Sequence, residues 1–132
     1  MSFFNIPTEN ELPEQQPVPA GEYELQILSA TKKDGVSKKN QQPYSSINIT
    51  LQIISQPDAK NIYHTIFLPK EGDKPEDVNQ FYRRVRAFLR AFKLPLEFDP
   101  ENLDNWVGAT GFAILSLDSD EEYGERNNVK RF

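Results

Sequence analysis

The sequence predicts an all-β domain with one main helix, in the element order β-β-β-α-β-β. Two observations predict this class. Short stretches in which apolar and polar residues alternate are typical of half-buried strands. A single later stretch repeats its apolar residues every three or four positions, which is typical of an amphipathic helix. The length of 132 residues suits one domain with a sizeable core.

The first three strands are predicted from period-two alternation between turn residues. After the turn signal Pro19–Gly21, residues 22–31 place their apolar side chains on one face. A polar loop with four lysines is predicted over residues 32–43. Residues 44–55 give the clearest alternation in the chain, and residues 61–68 follow as a third strand after a turn.

The period changes in the second half of the chain. From Val78 to Phe92 the apolar residues are three or four positions apart, which predicts an amphipathic helix that ends before Pro95. The remaining predictions are a helical turn, a fourth strand, an acidic hairpin loop and a last strand, over residues 102–106, 110–117, 118–125 and 126–132.

This element order, with a basic loop after the first strand, is that of a five-stranded OB-type barrel. Five short strands and one helix also fit other small barrels and α+β folds. We predict a single OB-type domain over residues 21–132. Residues 1–20 are predicted to be extended or disordered, because their prolines, glutamates and glutamines cannot build a core. Phe3, Phe4 and Ile6 in that segment are candidates for docking on the domain or on a partner.

Catalytic and metal sites find little support in the sequence. The absence of cysteine excludes disulfides, thiolate nucleophiles and cysteine-ligated metals. His64, the only histidine, lies in an alternating strand, where a packed or edge residue is more typical than a general base. The sequence has no phosphate-binding glycine loop and no nucleophile elbow, and residues 118–122 lack the spacing of a calcium loop. We predict a protein that is not an enzyme and needs no cofactor or metal.

Membrane association is not predicted. No apolar run approaches the roughly 20 residues of a membrane-spanning helix. The N-terminus also lacks the basic and apolar regions of a signal peptide. A cytoplasmic location is therefore expected.

The net charge of −5 alone would disfavour a polyanionic partner. The charged residues, however, are distributed unevenly along the chain. Residues 1–24 hold five acidic residues and no basic one, and residues 118–125 hold five more acids. Residues 26–95 contain twelve Lys or Arg and six Asp or Glu. Because charges act over roughly 10 Å at physiological salt, a local basic surface is compatible with binding of nucleic acid.

Cations and aromatic rings are interleaved in a way that predicts binding of a single nucleic-acid strand. Cations neutralise phosphates, and exposed rings stack on unpaired bases. The predicted binding cations are Lys32, Lys33, Lys38, Lys39, Lys60, Arg126, Lys130 and Arg131. The predicted stacking rings are Tyr44, Tyr63, Phe67, Phe112 and Tyr123. Phe67 and Phe112 fit a core position equally well. The helix arginines are predicted to form a solvated face, and they are Arg83, Arg84, Arg86 and Arg90.

Several stretches carry a resemblance to a known family. They are Pro19–Tyr23, Phe81–Leu89 before Leu94-Pro95, Trp106–Gly111 and Glu122–Arg131, and the most specific part is Tyr123–Arg131. From about residue 18 to 132 the chain is similar to short phage-encoded proteins that are regarded as single-stranded-DNA-binding OB proteins. The resemblance implies a protein that protects single-stranded DNA, without sequence preference, during phage replication or recombination in the host cytoplasm.

One departure from single-strand binders affects the expected partners. Many of them recruit replication proteins through an acidic C-terminal tail, whereas residues 126–132 are basic here. We expect the acidic N-terminal segment or the acidic residues 118–125 to contact replication or recombination proteins. Two rival interpretations stay open, namely an OB-like module that binds such enzymes instead of a strand, and a virion or tail component. The choice between DNA and RNA also stays open, because no residue identifies a reader of the 2′-hydroxyl.

Overall fold

The computed structural model describes residues 15–39, 41–122 and 124–132. Its elements are strands β1 (Gly21–Val36), β2 (Pro43–Ile53) and β3 (Ile62–Phe67), helix α1 (Pro75–Ala91), a short 3-10 helix (Asp104–Trp106), and strands β4 (Thr110–Asp120) and β5 (Gly124–Arg131). The 3-10 helix lies where the sequence predicts a helical turn. Within the described residues, no helix has the length and apolar character needed to cross a bilayer.

All five strands belong to one antiparallel sheet with the order β3-β2-β1-β4-β5. This confirms the predicted β-rich class with one main helix. The two edge strands contact each other. The rings of His64 and Phe132 lie 5.1 Å apart, and Lys60 Nζ, just before β3, donates to the Glu125 carbonyl at 3.5 Å. The hydrogen-bonded ladders of the described residues do not join β3 to β5, so closure of the sheet into a barrel stays a prediction.

Two predicted loops are shorter than expected. The loop expected over residues 32–43 is reduced to residues 37–42, because β1 continues to Val36 and β2 begins at Pro43. The last residues of β1 show no apolar alternation because they extend past the core, and residues 31–34 are exposed. The ladder with β2 holds this end of β1 in place. The acidic loop expected over residues 118–125 is likewise shortened by the pairing of β4 with β5.

The core lies between the inner face of the sheet and α1. Its sheet side consists of the alternating apolar residues of β1 and β2, such as Leu25, Ile27, Ile49 and Leu51, each at most 1% exposed. Its helix side consists of Phe81, Val85, Phe88 and Leu89. Burying side chains of this size contributes roughly 1.5–3 kcal/mol each. The apolar residues of the helix, three or four positions apart, therefore pack across the core against the alternating apolar residues of the strands.

The chain before β1 also packs on the domain. Val18 is 3% exposed and belongs to the core, and the carbonyl of Gln16 accepts a hydrogen bond from the Lys60 backbone N–H at 2.9 Å. Residues 15–19 have no regular secondary structure. Residues 1–14, which include Phe3, Phe4 and Ile6, lie outside the described residues. The last part of the predicted N-terminal segment is thus joined to the sheet.

Candidate nucleic-acid interface

The solvent face of β3 carries two large aromatic rings. Successive side chains of a strand point to opposite faces, so Ile62 and Ile66 enter the core while Tyr63 and Phe67 point outward. Tyr63 is 71% exposed and Phe67 is 64% exposed. The sequence left Phe67 equally suited to the core or to binding, and the structure places it in solvent.

Tyr44 lies beside Phe67. The centroids of the two rings are 6.0 Å apart, at 65° to each other. Tyr44 pairs with Gly35 across β1 and β2, and a Cβ atom on Gly35 would lie 2.7 Å from the Tyr44 ring. The missing side chain of Gly35 therefore leaves the space that the Tyr44 ring occupies.

Lys33 is the cation nearest to these rings in the sheet register. Lys33 pairs with Ser46, and Ser46 pairs with Phe67, so the backbones of Lys33 and Phe67 are two strand spacings apart, roughly 10 Å. A bulge in β1 at Leu28 shifts the alternation. Because of this shift, Lys33 shares the outer face with Phe67. We call Lys33, Tyr44, Tyr63 and Phe67 the ring face.

A groove of about 1120 Å³ adjoins the ring face. It lies between β3, residues 77–88 of α1 and the end of β5, and we call it the β3–α1 groove. Tyr44 and Phe67 line it on one side, and the predicted cations Lys130 and Arg131 line it on another. The structure therefore brings together four predicted residues that come from three strands. Lys38 and Lys39 lie nearby in sequence, exposed in the turn between β1 and β2.

Three other predicted cations lie away from the ring face. Lys32 is on the opposite face from Lys33, and its Nζ forms a 2.6 Å ion pair with Glu101. The hydrogen bond between the same two side chains raises the pKa of Lys32 above its ordinary value. Lys60 donates to a backbone carbonyl at the start of β5. Arg126 pairs with Asp118 across β4 and β5.

Two predicted rings are also not part of the ring face. Phe112 is 55% exposed, so it is not a core residue. Phe112 lies on β4 and pairs with Glu24 of β1. Glu24 belongs to the acidic first half of β1, so Phe112 is several residue rows away from Lys33. Tyr123 lies outside the described residues.

The structure adds two cations that the sequence did not assign to binding. Arg84, predicted to lie on a solvated helix face, and Lys70, in the connection before α1, both line the β3–α1 groove. The signal for Arg84 is its spacing, three residues after Phe81 and four before Phe88, which puts it on the side of α1 that carries those core residues.

The described residues place one half-buried imidazole at this surface. Among them no group of three His, Asp or Glu side chains is placed to hold a metal ion. His64 lines the β3–α1 groove, and burial lowers the pKa of this imidazole below 6.5. Exposed rings and cations on the solvent face of a sheet are suited to stacking and to phosphate contacts. No protein-family model matches the chain, and no curated protein is significantly similar to it.

Proposed function

We propose that this protein binds single-stranded DNA without sequence preference, through the ring face. The observation that carries the proposal is the exposure of Tyr63 and Phe67, 71% and 64%, on the same sheet face as Lys33. Unpaired bases stack on such rings, whereas the bases of a duplex are already stacked on one another. Every base has an aromatic face, so this contact discriminates little between sequences.

The sheet topology supports an OB-type barrel as the scaffold of this site. The order β3-β2-β1-β4-β5 is that of a five-stranded barrel opened between β3 and β5, and those two strands contact each other. OB-type barrels bind single strands on the outer face near their second and third strands, which are the strands that carry Tyr44, Tyr63 and Phe67.

We further propose that the biological role is protection of displaced strands in phage replication or recombination. The resemblance of residues 18–132 to phage-encoded single-strand binders supports this setting. Binding, rather than catalysis, is the proposed activity. The acidic residues 118–125 and the acidic N-terminal segment are the proposed contacts for replication or recombination enzymes.

A titration of fluorescent oligo-dT with the Tyr63→Ala variant tests the function. Loss of one stacking ring is expected to cost about 1–3 kcal/mol, which is roughly a 5- to 150-fold weaker affinity. Tyr82→Ala is the matched control, because Tyr82 is also exposed, 58%, but lies on α1 outside the ring face. Both variants are expected to retain the melting temperature of the parent protein.

The salt dependence separates the proposal from its rival. Contacts to phosphate make affinity fall steeply between about 50 and 200 mM salt. Equal binding by the Tyr63→Ala and Tyr82→Ala variants would contradict stacking on the ring face. Absent binding at low salt would favour the interpretation of an OB-like module that binds replication enzymes instead.

A further inference from the structure

The β3–α1 groove continues the ring face beyond the edge of the sheet. The Tyr44–Phe67 ring pair belongs both to the ring face and to one wall of the groove. Arg84 on α1 and Lys70 before it line another part of the same groove. A strand that stacks on these rings therefore lies beside a groove whose lining also includes one cation of the helix and one of the segment before it.

The charges in this groove favour a polyanion. Four cationic side chains and the two acids Asp73 and Asp77 line it. Asp73 accepts a hydrogen bond of 2.7 Å from the Lys70 backbone N–H. Asp77 lies in the first turn of α1, where the positive end of the helix offsets its charge. In the described part of the chain, none of the four cations forms an ion pair.

The two neighbouring arginines of α1 face different surfaces. Arg84 lines the β3–α1 groove, whereas Arg83 lines a second groove on another side of the helix, together with Tyr82 and Leu96. Both arginines are exposed. Their difference in position allows one to serve as the control for the other.

We infer that a bound strand leaves the ring face over β3 and continues into the β3–α1 groove, where Arg84 contacts its phosphates. The inference rests on the proposed function and adds a second segment to the binding path. A short oligonucleotide that fits the ring face does not reach Arg84. A longer one occupies both surfaces.

The test compares oligo-dT of about 4 and about 16 nucleotides, the two ends of the range for such domains. Arg84→Ala is expected to weaken binding of the long oligonucleotide several-fold and to reduce its salt slope by about 0.7, the value for one phosphate contact to a single strand. Binding of the short oligonucleotide is expected to be unchanged. Arg83→Ala is expected to leave both affinities as in the parent protein. Circular dichroism and a thermal melt check that both variants fold.

Three results would overturn the inference. If Arg84→Ala binds the long oligonucleotide normally while Tyr63→Ala weakens it, the groove is not on the path and the ring face still binds DNA. If Arg83→Ala and Arg84→Ala weaken the long oligonucleotide equally, the effect is one of overall charge. If the parent protein binds neither oligonucleotide at low salt, the proposed function fails together with the inference.

Discussion

Asn127 joins the chain before β1 to the far edge of the sheet. It is 5% exposed, and its side chain makes three hydrogen bonds. Its Oδ1 accepts from the Val18 backbone N–H at 2.8 Å, and its Nδ2 donates to the carbonyls of Val18 at 2.8 Å and Ser116 at 3.0 Å. One amide thus satisfies both backbone groups of Val18, which is what allows that residue to enter the core.

Replacing Asn127 by Ala is expected to reduce the free energy of unfolding by about 2 kcal/mol, because buried backbone groups would lose their partners at a cost of roughly 1–3 kcal/mol. Asn128→Ala is the matched control. Asn128 donates to the exposed Asp118 carboxylate, where water can replace it, so a smaller loss is expected. Chemical denaturation measures both values, and equal losses would show that the bonds to Val18 contribute nothing specific.

At the scale of elements, Gly111 determines how closely β4 approaches α1. A Cβ atom at this position would lie 2.7 Å from the carbonyl carbon of Ala91 and closer still to its carbonyl oxygen. Backbone atoms at the end of a helix cannot rotate away from such a clash. The close contact of strand and helix therefore requires glycine, for reasons of space rather than of backbone conformation.

Gly111→Ala is expected to destabilise the protein by roughly 1–3 kcal/mol or more, the usual cost of overpacking. Gly35→Ala provides the comparison. There the three atoms nearest to a Cβ all belong to the Tyr44 side chain, which can rotate outward, so the expected loss of stability is smaller. Urea denaturation of the two variants gives the difference, and a larger loss for Gly35→Ala would contradict this account of the β4–α1 contact.

At the scale of the whole molecule, a cluster of rings closes the gap between the two sheet edges. The Phe132 ring, directly after β5, packs against His64 of β3 at 5.1 Å, against Phe88 at 5.2 Å and against Phe92 at 5.8 Å. Packing between β3, β5 and α1 therefore holds the edges together where backbone ladders do not. Burial in this cluster is also what lowers the pKa of His64.

This burial predicts a pH dependence of stability. Because the pKa of His64 is below 6.5 in the folded protein, the unfolded state binds more protons just below pH 6.5, and the free energy of unfolding falls as the pH is lowered through this range. His64→Gln is expected to show a weaker fall between about pH 7 and 5.5, a range above the ordinary titration of carboxylates. Denaturation at several pH values tests this, and identical slopes would exclude His64 as the source.

Several elements could be predicted from local patterns because a single physical rule determines them. The alternation of residues 44–55 and the spacing from Val78 to Phe92 follow directly from burial of one face, and both elements are found. The full length of β1 could not be predicted, because residues 32–36 are held by the ladder with β2 rather than by burial. Helix periodicity predicts an exposed position for Arg84, and Arg84 is exposed, but that periodicity does not reveal which exposed side chains border a groove.

The residue pattern alone predicts a β-rich chain with one amphipathic helix, since burial imposes those two periods on the residues. It also supplied the rings and cations from which the ring face is built. Which of these rings and cations lie together depends on the three-dimensional fold. The bulge at Leu28 places Lys33 with the rings and Lys32 on the other face, and the curvature of the sheet brings the end of β5 beside β3. The first depends on the register of β1 against β2 and the second on packing of β5 against β3, and no local pattern in the chain records either.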